Sequence, residues 1–196
     1  KTRDLSQFHL AEIPDEKLFD TVADALVDGC VLGWYQGRAE FGPRALGNRS
    51  IIVDPRRGDA KDLLNEKIKR RESFRPFAPS ILKEYTPDYF EYVDDVPFME
   101  KVFRIREEKR AAIPAVTHVD GTGRLQTVEQ QDSPRYHALI SAFHKRTGVP
   151  ILLNTSFNEN EPIVNTPEHA LECFLRTQMD ILVLGNFVVS RRPIGQ

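Results

Sequence analysis

The sequence predicts an α/β (α+β) domain, a twisted and mostly mixed sheet flanked by helices, from three observations. Short apolar runs at residues 30–35, 51–53, 78–82, 150–153 and 180–184 read as strands buried in a sheet. Longer stretches at residues 15–29, 134–147 and 166–174 place apolar side chains at helical spacing. The two kinds of element are mixed without a strict repeat, so no uniform βαβ ladder is expected.

Taken in order, residues 1–14 show no clear period and read as a lead-in segment, with the domain running from 15 to 196. Leu18, Val22 and Leu26 share one helical face, and Gly29 is placed to end that helix. After the apolar run at 30–35 the chain turns polar, and residues 36–50 interleave glycines with arginines, with Pro43 placed to open a short helix. A strand at 51–53 leads to Gly58-Asp59, read as a cap for a helix carrying Leu63, Leu64 and Ile68. Residues 85–99 are aromatic, acidic and interrupted by proline, hence a loop or lid. Residues 101–105 and 115–119 read as strands, the second joined through Asp120-Gly121-Thr122-Gly123 to 124–128 as a hairpin. The helix at 134–147 turns Leu139, Ile140 and Phe143 inward and stops at Gly148. Thr166-Pro167 opens the last helix in cap-then-proline form, with Ala170, Leu171 and Phe174 inward, and residues 180–184 close the sheet.

Composition narrows the function classes. The 196 residues are 40% hydrophobic and 29% charged, which is enough apolar material for a real core. A formal net charge of -2 disfavours a surface that wraps nucleic acid, so any anion affinity must be local. Cys30 and Cys173 supply neither a disulfide framework nor metal-ligand spacing, which fits a reducing compartment. With neither signal peptide nor membrane span visible, the expected location is the cytoplasm, with no membrane partner. The first residue is Lys1, as expected of a domain taken from a longer polypeptide.

The chemistry concentrates in the run KIKRRESFRPFAP at 67–79, where five cations are relieved only by Glu72. Lys67 and Arg70 suit a solvated helix end favoured by the helix dipole. Lys69, Arg71 and Arg75 differ, because Phe74, Pro76, Phe77 and Pro79 hold the chain beside them. Several loops expected after apolar strands also carry oxyanion-binding groups: Arg44 and Arg49, Arg124, and Asn154-Thr155-Ser156. Arginines in the 36–50 segment could instead simply pair with Glu40 or Asp54. Together with Lys69 and Arg75 they suit a phosphate ester or a triphosphate. No glycine-rich run ends in Lys-Ser or Lys-Thr, which excludes a P-loop. His118 has no second His or Cys at ligand spacing, so no metal site is expected. Ser156 lacks a nucleophile-elbow frame and reads as a hydroxyl donor.

Four motifs, GRAEFGPRALGNRS (37–50), KRRESFRPFAP (69–79), THVDGTGRLQTV (117–128) and NTSFN (154–158), resemble the C-terminal domain of O-carbamoyltransferases of the nodulation (NodU) and cephamycin (CmcH) type. The likeness runs in order along nearly the whole chain. It implies a YrdC-like fold in which carbamoyl phosphate and ATP, with Mg²⁺ on the ATP phosphates, give carbamoyl adenylate and pyrophosphate. It also implies an N-terminal transferase domain of the same polypeptide, absent from this sequence, that passes the carbamoyl group to an acceptor hydroxyl. Position by position, the resemblance implies catalytic roles for Lys69, Arg75 and Arg124, carbamoyl phosphate binding by Asn154 and Ser156, and nucleotide-side roles for Arg44 and His118. The competing class is an RNA-binding YrdC-like module without carbamoyl chemistry. The slightly acidic charge balance disfavours it.

Overall fold

A computed structural model describes residues 4–69, 77–91 and 94–193. Nine strands form one mixed sheet in the order β1-β9-β8-β2-β3-β7-β4-β6-β5. They are β1 (His9–Glu12), β2 (Leu32–Tyr35), β3 (Arg49–Val53), β4 (Ala78–Leu82), β5 (Lys101–Arg104), β6 (Thr122–Val128), β7 (Ile151–Ser156), β8 (Ile181–Leu184) and β9 (Phe187–Ser190). The β2–β8 and β4–β6 pairs are parallel, and the other neighbours are antiparallel. The helices are α1 (Asp15–Val27), α2 (Ala60–Leu64), α3 (Thr86–Tyr89), α4 (Glu107–Arg110), α5 (Pro134–Thr147) and α6 (Pro167–Arg176).

The expected mixed α/β sheet is therefore observed, and its packing follows from the apolar spacing. Leu18, Val22 and Leu26 of α1 and Leu139, Ile140 and Phe143 of α5 are completely or nearly completely buried, and the two helices pack together. Full burial of a side chain of this size contributes about 1.5–3 kcal/mol. Phe19 of α1 stacks at a tilt on Trp34 of β2, with ring centroids 6.5 Å apart. Across the helix pair, Arg146 binds Asp20 at 2.7 Å and also engages Asp24. Gly148 ends α5 in the left-handed conformation, with φ 72°. The Thr166 hydroxyl caps α6 by accepting the His169 N–H at 3.3 Å.

Other expectations give way to tertiary contacts. The lead-in carries an edge strand, β1, paired antiparallel with β9, and its four residues are exposed, so they bear no apolar pattern to read. For the same reason the 180–184 strand does not close the sheet: β8 is followed outward by β9 and β1. Asp59 does not cap α2, because its carboxylate is taken by Arg57 at 2.6 Å. Pro43 opens no helix. Residues 115–119 are not a strand; a 3₁₀ turn over Pro114–Val116 replaces it, and β6 makes its hairpin-like antiparallel pair with β5 instead. Arg124 and Asn154-Thr155-Ser156, expected in loops, lie within β6 and β7. The basic run at 70–76 lies outside the described residues, as does the side chain of Lys69. The backbone of Lys69 ends a π-helical turn, Asn65–Lys69, that continues α2.

Candidate functional site

The segment between β2 and β3 is tied down from within. One Glu40 carboxylate oxygen accepts the N–H groups of Leu46, Asn48 and Arg49 at 2.9, 2.6 and 3.3 Å. Arg49 is buried, lies over the Tyr35 ring at 3.5 Å and donates to the carbonyls of Gln36 at 2.6 Å and Gly37 at 3.0 Å. Arg49 is thus a clamp for the loop rather than a ligand group, and Asp54 pairs with Arg56 rather than with the loop arginines. Gly47 makes the close approach that this clamping requires. Its φ is +113°, and an added Cβ would lie 2.3 Å from Cδ1 of the buried Tyr136. The result is an exposed Arg44 carried by a fixed backbone.

Beneath this loop three neighbouring strands place polar side chains in the sheet interior. Asn154 of β7 sits between Ile52 of β3 and Ala78 of β4, and Ser80 of β4 opposite Gln126 of β6. Gln126 Nε2 donates to the Leu46 carbonyl at 2.8 Å, and Asn154 Nδ2 donates to the Ala45 carbonyl at 3.2 Å. The loop is therefore seated on the sheet through its own carbonyls.

Arg44, Ala45, Phe77, Met99, Arg124, Asn154, Thr155 and Ser156 surround a cavity of about 70 Å³. One water needs only about 10–15 Å³ of such space, so the cavity has room for a small polar group. Met99 alone among the described non-glycine residues has a left-handed backbone, φ 58°. Such strain is retained where the surroundings impose it, commonly at ligand sites. A second, open cleft of about 730 Å³ shares Arg44 with the first and carries the exposed rings of Phe41 and Phe98. Glu40, Asp95, Glu129 and Asp132 also line it.

Of the seven residues singled out in the sequence, Arg44, Arg124, Asn154 and Ser156 meet at the small cavity. Phe77, the first described residue after the basic run, lines it as well. Lys69 and Arg75 are not placed by the described side chains. His118 is not among the lining residues but lies close enough to Arg124 for that charge to act on it. Its Nδ1 is 3.0 Å from the Thr122 hydroxyl, which gives its own proton to Asp120 at 2.7 Å. Nδ1 must then be the donor, leaving Nε2 as an acceptor that is buried with no hydrogen-bond partner among the described residues. Burial first, and the charges of Lys61 and Arg124 after it, hold the imidazole below its ordinary pKa against the opposing pull of Asp120. A depressed histidine favours folding when neutral. Stability should therefore hold above the unfolded value of about 6.5 and fall as pH drops through the lower folded value. Urea unfolding midpoints at a series of pH values should show this decline, and His118→Asn should flatten it.

Sequence reasoning missed Ser80 and Gln126. The available signal was a polar residue set inside an otherwise apolar strand, as in Ala78-Pro79-Ser80-Ile81-Leu82. Met99 gave no signal, since its role lies in backbone geometry.

The chain matches the family model described as Carbamoyltransferase C-terminus over residues 23–191. It is 52% identical to nodulation protein NolO of Bradyrhizobium diazoefficiens, over 94% of this chain and 34% of that protein. It is 42% identical to 3'-hydroxymethylcephem-O-carbamoyltransferase of Amycolatopsis lactamdurans, over 84% of this chain and 31% of that enzyme. The chain thus spans about a third of the length of these relatives. Its fold matches the crystal structure of E. coli YciO with TM-score 0.58 at 16% identity, covering 89% of this chain and 80% of that one. The YrdC-like sheet expected from the sequence is the fold observed. No helix among the described residues is long and apolar enough to cross a membrane.

Proposed function

Because the chain belongs to the carbamoyltransferase C-terminus family, we propose that it is the carbamoyl-activating domain of an O-carbamoyltransferase, working with an N-terminal transferase domain of the same polypeptide. The reaction is the ATP-dependent conversion of carbamoyl phosphate to carbamoyl adenylate. The observation that carries this reading is the cavity of about 70 Å³ on which Arg44, Arg124, Asn154 and Ser156 converge from separate elements. Its size suits a carbamoyl group, and its guanidinium groups suit the phosphate attached to it.

In this reading water first converts carbamoyl phosphate to carbamate and inorganic phosphate. A carbamate oxygen then attacks the α-phosphorus of ATP, a P–O bond to that oxygen forms, and the bond to the β-phosphate breaks to release pyrophosphate. The chain's residues position and neutralise charge; no covalent bond to the protein is needed. Arg124 and Ser156 hold the carbamoyl phosphate, with Lys69 and Arg75 supplying further cations from the basic run. Arg44 borders both spaces, so it bridges carbamoyl phosphate and a nucleotide lying in the larger cleft. His118, neutral with Nε2 as acceptor, suits a hydroxyl such as that of ribose rather than a phosphate. No group of three or more His, Cys, Asp or Glu able to hold a metal occurs among the described residues. Mg²⁺ carried on the ATP phosphates would supply charge neutralisation there. RNA binding draws little support from a formal net charge of -2, which offers no extended basic face.

The test is pyrophosphate release from the full-length polypeptide. It should require ATP and carbamoyl phosphate together, and calorimetry should detect binding of each. Release independent of carbamoyl phosphate, or no heat for either ligand at millimolar concentration, would remove the proposal.

A further inference from the structure

The Ser80–Gln126–Asn154 network has only one consistent set of donors and acceptors. Amide nitrogen and oxygen are ordinarily exchangeable assignments, but a backbone carbonyl can only accept. The Leu46 carbonyl therefore fixes Gln126 with Nε2 toward it and Oε1 toward the strand interior. Ser80 donates its hydroxyl proton to that Oε1 at 2.5 Å. Asn154 Nδ2 then faces three acceptors: Gln126 Oε1 at 3.0 Å, Ser80 Oγ at 3.2 Å and the Ala45 carbonyl at 3.2 Å. A flipped amide would set its oxygen against all of them except the Ser80 hydroxyl, whose proton is already committed.

What remains of the Asn154 side chain is Oδ1. The residue is 1% exposed and lines the small cavity, and among the described residues its Oδ1 has no hydrogen-bond partner. A buried acceptor left this way is rare and calls for a donor. A fully ionised phosphate or carboxylate has no proton to offer, and the arginines at the same cavity suit that acceptor chemistry instead. The residues around the cavity thus include two arginines and one asparagine whose remaining side-chain group is an acceptor.

We propose that Ser80 and Gln126 are positioning residues that lock the Asn154 amide with its oxygen toward the cavity, and that this oxygen selects the NH₂ of a carbamoyl group over a methyl. The inference rests on the carbamoyl phosphate reading and adds to it the basis of discrimination against other acyl phosphates such as acetyl phosphate. A site built to pair with a substrate N–H rejects the analogue lacking it, because the acceptor is then left alone.

The test compares two stable phosphonates of nearly equal shape, phosphonoacetamide and acetonylphosphonate, as competitors of carbamoyl phosphate in pyrophosphate release by the full-length polypeptide. The parent should bind the amide about tenfold more tightly than the methyl ketone. Gln126→Met should narrow that gap to about threefold or less while leaving the KM for ATP unchanged, and Ser80→Ala should narrow it in the same direction by a smaller factor. A purely structural role would weaken both competitors together and keep their ratio. Equal binding of the two by the parent overturns the selection by Asn154, and this comparison needs no variant to fold. A parental preference that survives in both variants overturns the positioning role. If the parent releases no pyrophosphate in response to carbamoyl phosphate, the functional reading itself fails; release without amide preference removes only the present inference.

Discussion

Arg124→Ala should raise the KM for carbamoyl phosphate by about 10- to 150-fold, with little change in the KM for ATP, as read from pyrophosphate release at varied concentrations of each substrate. Loss of a hydrogen bond to a charged group costs about 1.5–3 kcal/mol, which sets the range. Arg124 lies within β6, where its backbone pairs with Val102 of β5, and it lines the small cavity, so a held strand carries a guanidinium to that space. ATP keeps its adenine and ribose contacts elsewhere, so its affinity should move far less. Ser156→Ala, at the end of β7, should cost less, about 0.5–1.5 kcal/mol for one uncharged donor. Lys69→Ala and Arg75→Ala should each weaken phosphate binding on the scale of Arg124. Equal losses toward both substrates in Arg124→Ala, with an unchanged unfolding midpoint, would move that residue to the nucleotide side.

Gly47→Ala should destabilise the protein by about 2–4 kcal/mol and suppress activity more than that loss alone explains. Two effects combine. The φ of +113° is strained for any residue with a Cβ, and the new methyl would fall within 3.0 Å of Cδ1, Cγ and Cβ of Tyr136. Tyr136 lies in the buried face of α5 and has no space to retreat. The backbone at 47 must therefore move, and it carries the Ala45 and Leu46 carbonyls that seat on Asn154 and Gln126. A denaturant melt would report the stability loss. Calorimetry with carbamoyl phosphate below the melting range would report loop displacement as weakened binding to molecules that are still folded. Unchanged binding there would mean that the loop and cavity are not coupled.

The sequence made the helices and interior strands legible wherever apolar spacing alone dictates the element. The helix ending at Gly148 was read at its observed bounds, Pro134–Thr147, because proline, periodicity and glycine agree there. The β1 edge strand was not legible, since its four exposed residues are held by pairing with β9 rather than by side-chain burial. Residues 115–119 look β-forming in isolation, but the chain turns at Pro114–Val116 and β6 finds β5 and β4 as partners. Propensity for strands is settled by such neighbours. At the site, charge and motif pointed to Arg44, Arg124, Asn154 and Ser156, which do meet. Arg49 looked equivalent to Arg44, yet burial under the loop carbonyls turned it into an internal clamp. No local pattern distinguishes two arginines five positions apart when the difference is which way each one faces.

The position of β7 between β3 and β4 governs how this protein is made as well as how it works. Ser50 pairs with Ser156, and Ala78 with Asn154, so each contact closes a long loop of chain before it yields any hydrogen bond. Folding dominated by such distant partners is slow. During synthesis, β3 and β4 leave the ribosome with the edges that will receive β7 still bare, and both are buried apolar strands in the finished sheet. Any chain interrupted before residue 156 therefore presents two sticky edges at once, the geometry that leads to misassembly with other copies. The strand that contributes Asn154 and Ser156 to the small cavity is thus also the one that covers the facing edges of β3 and β4.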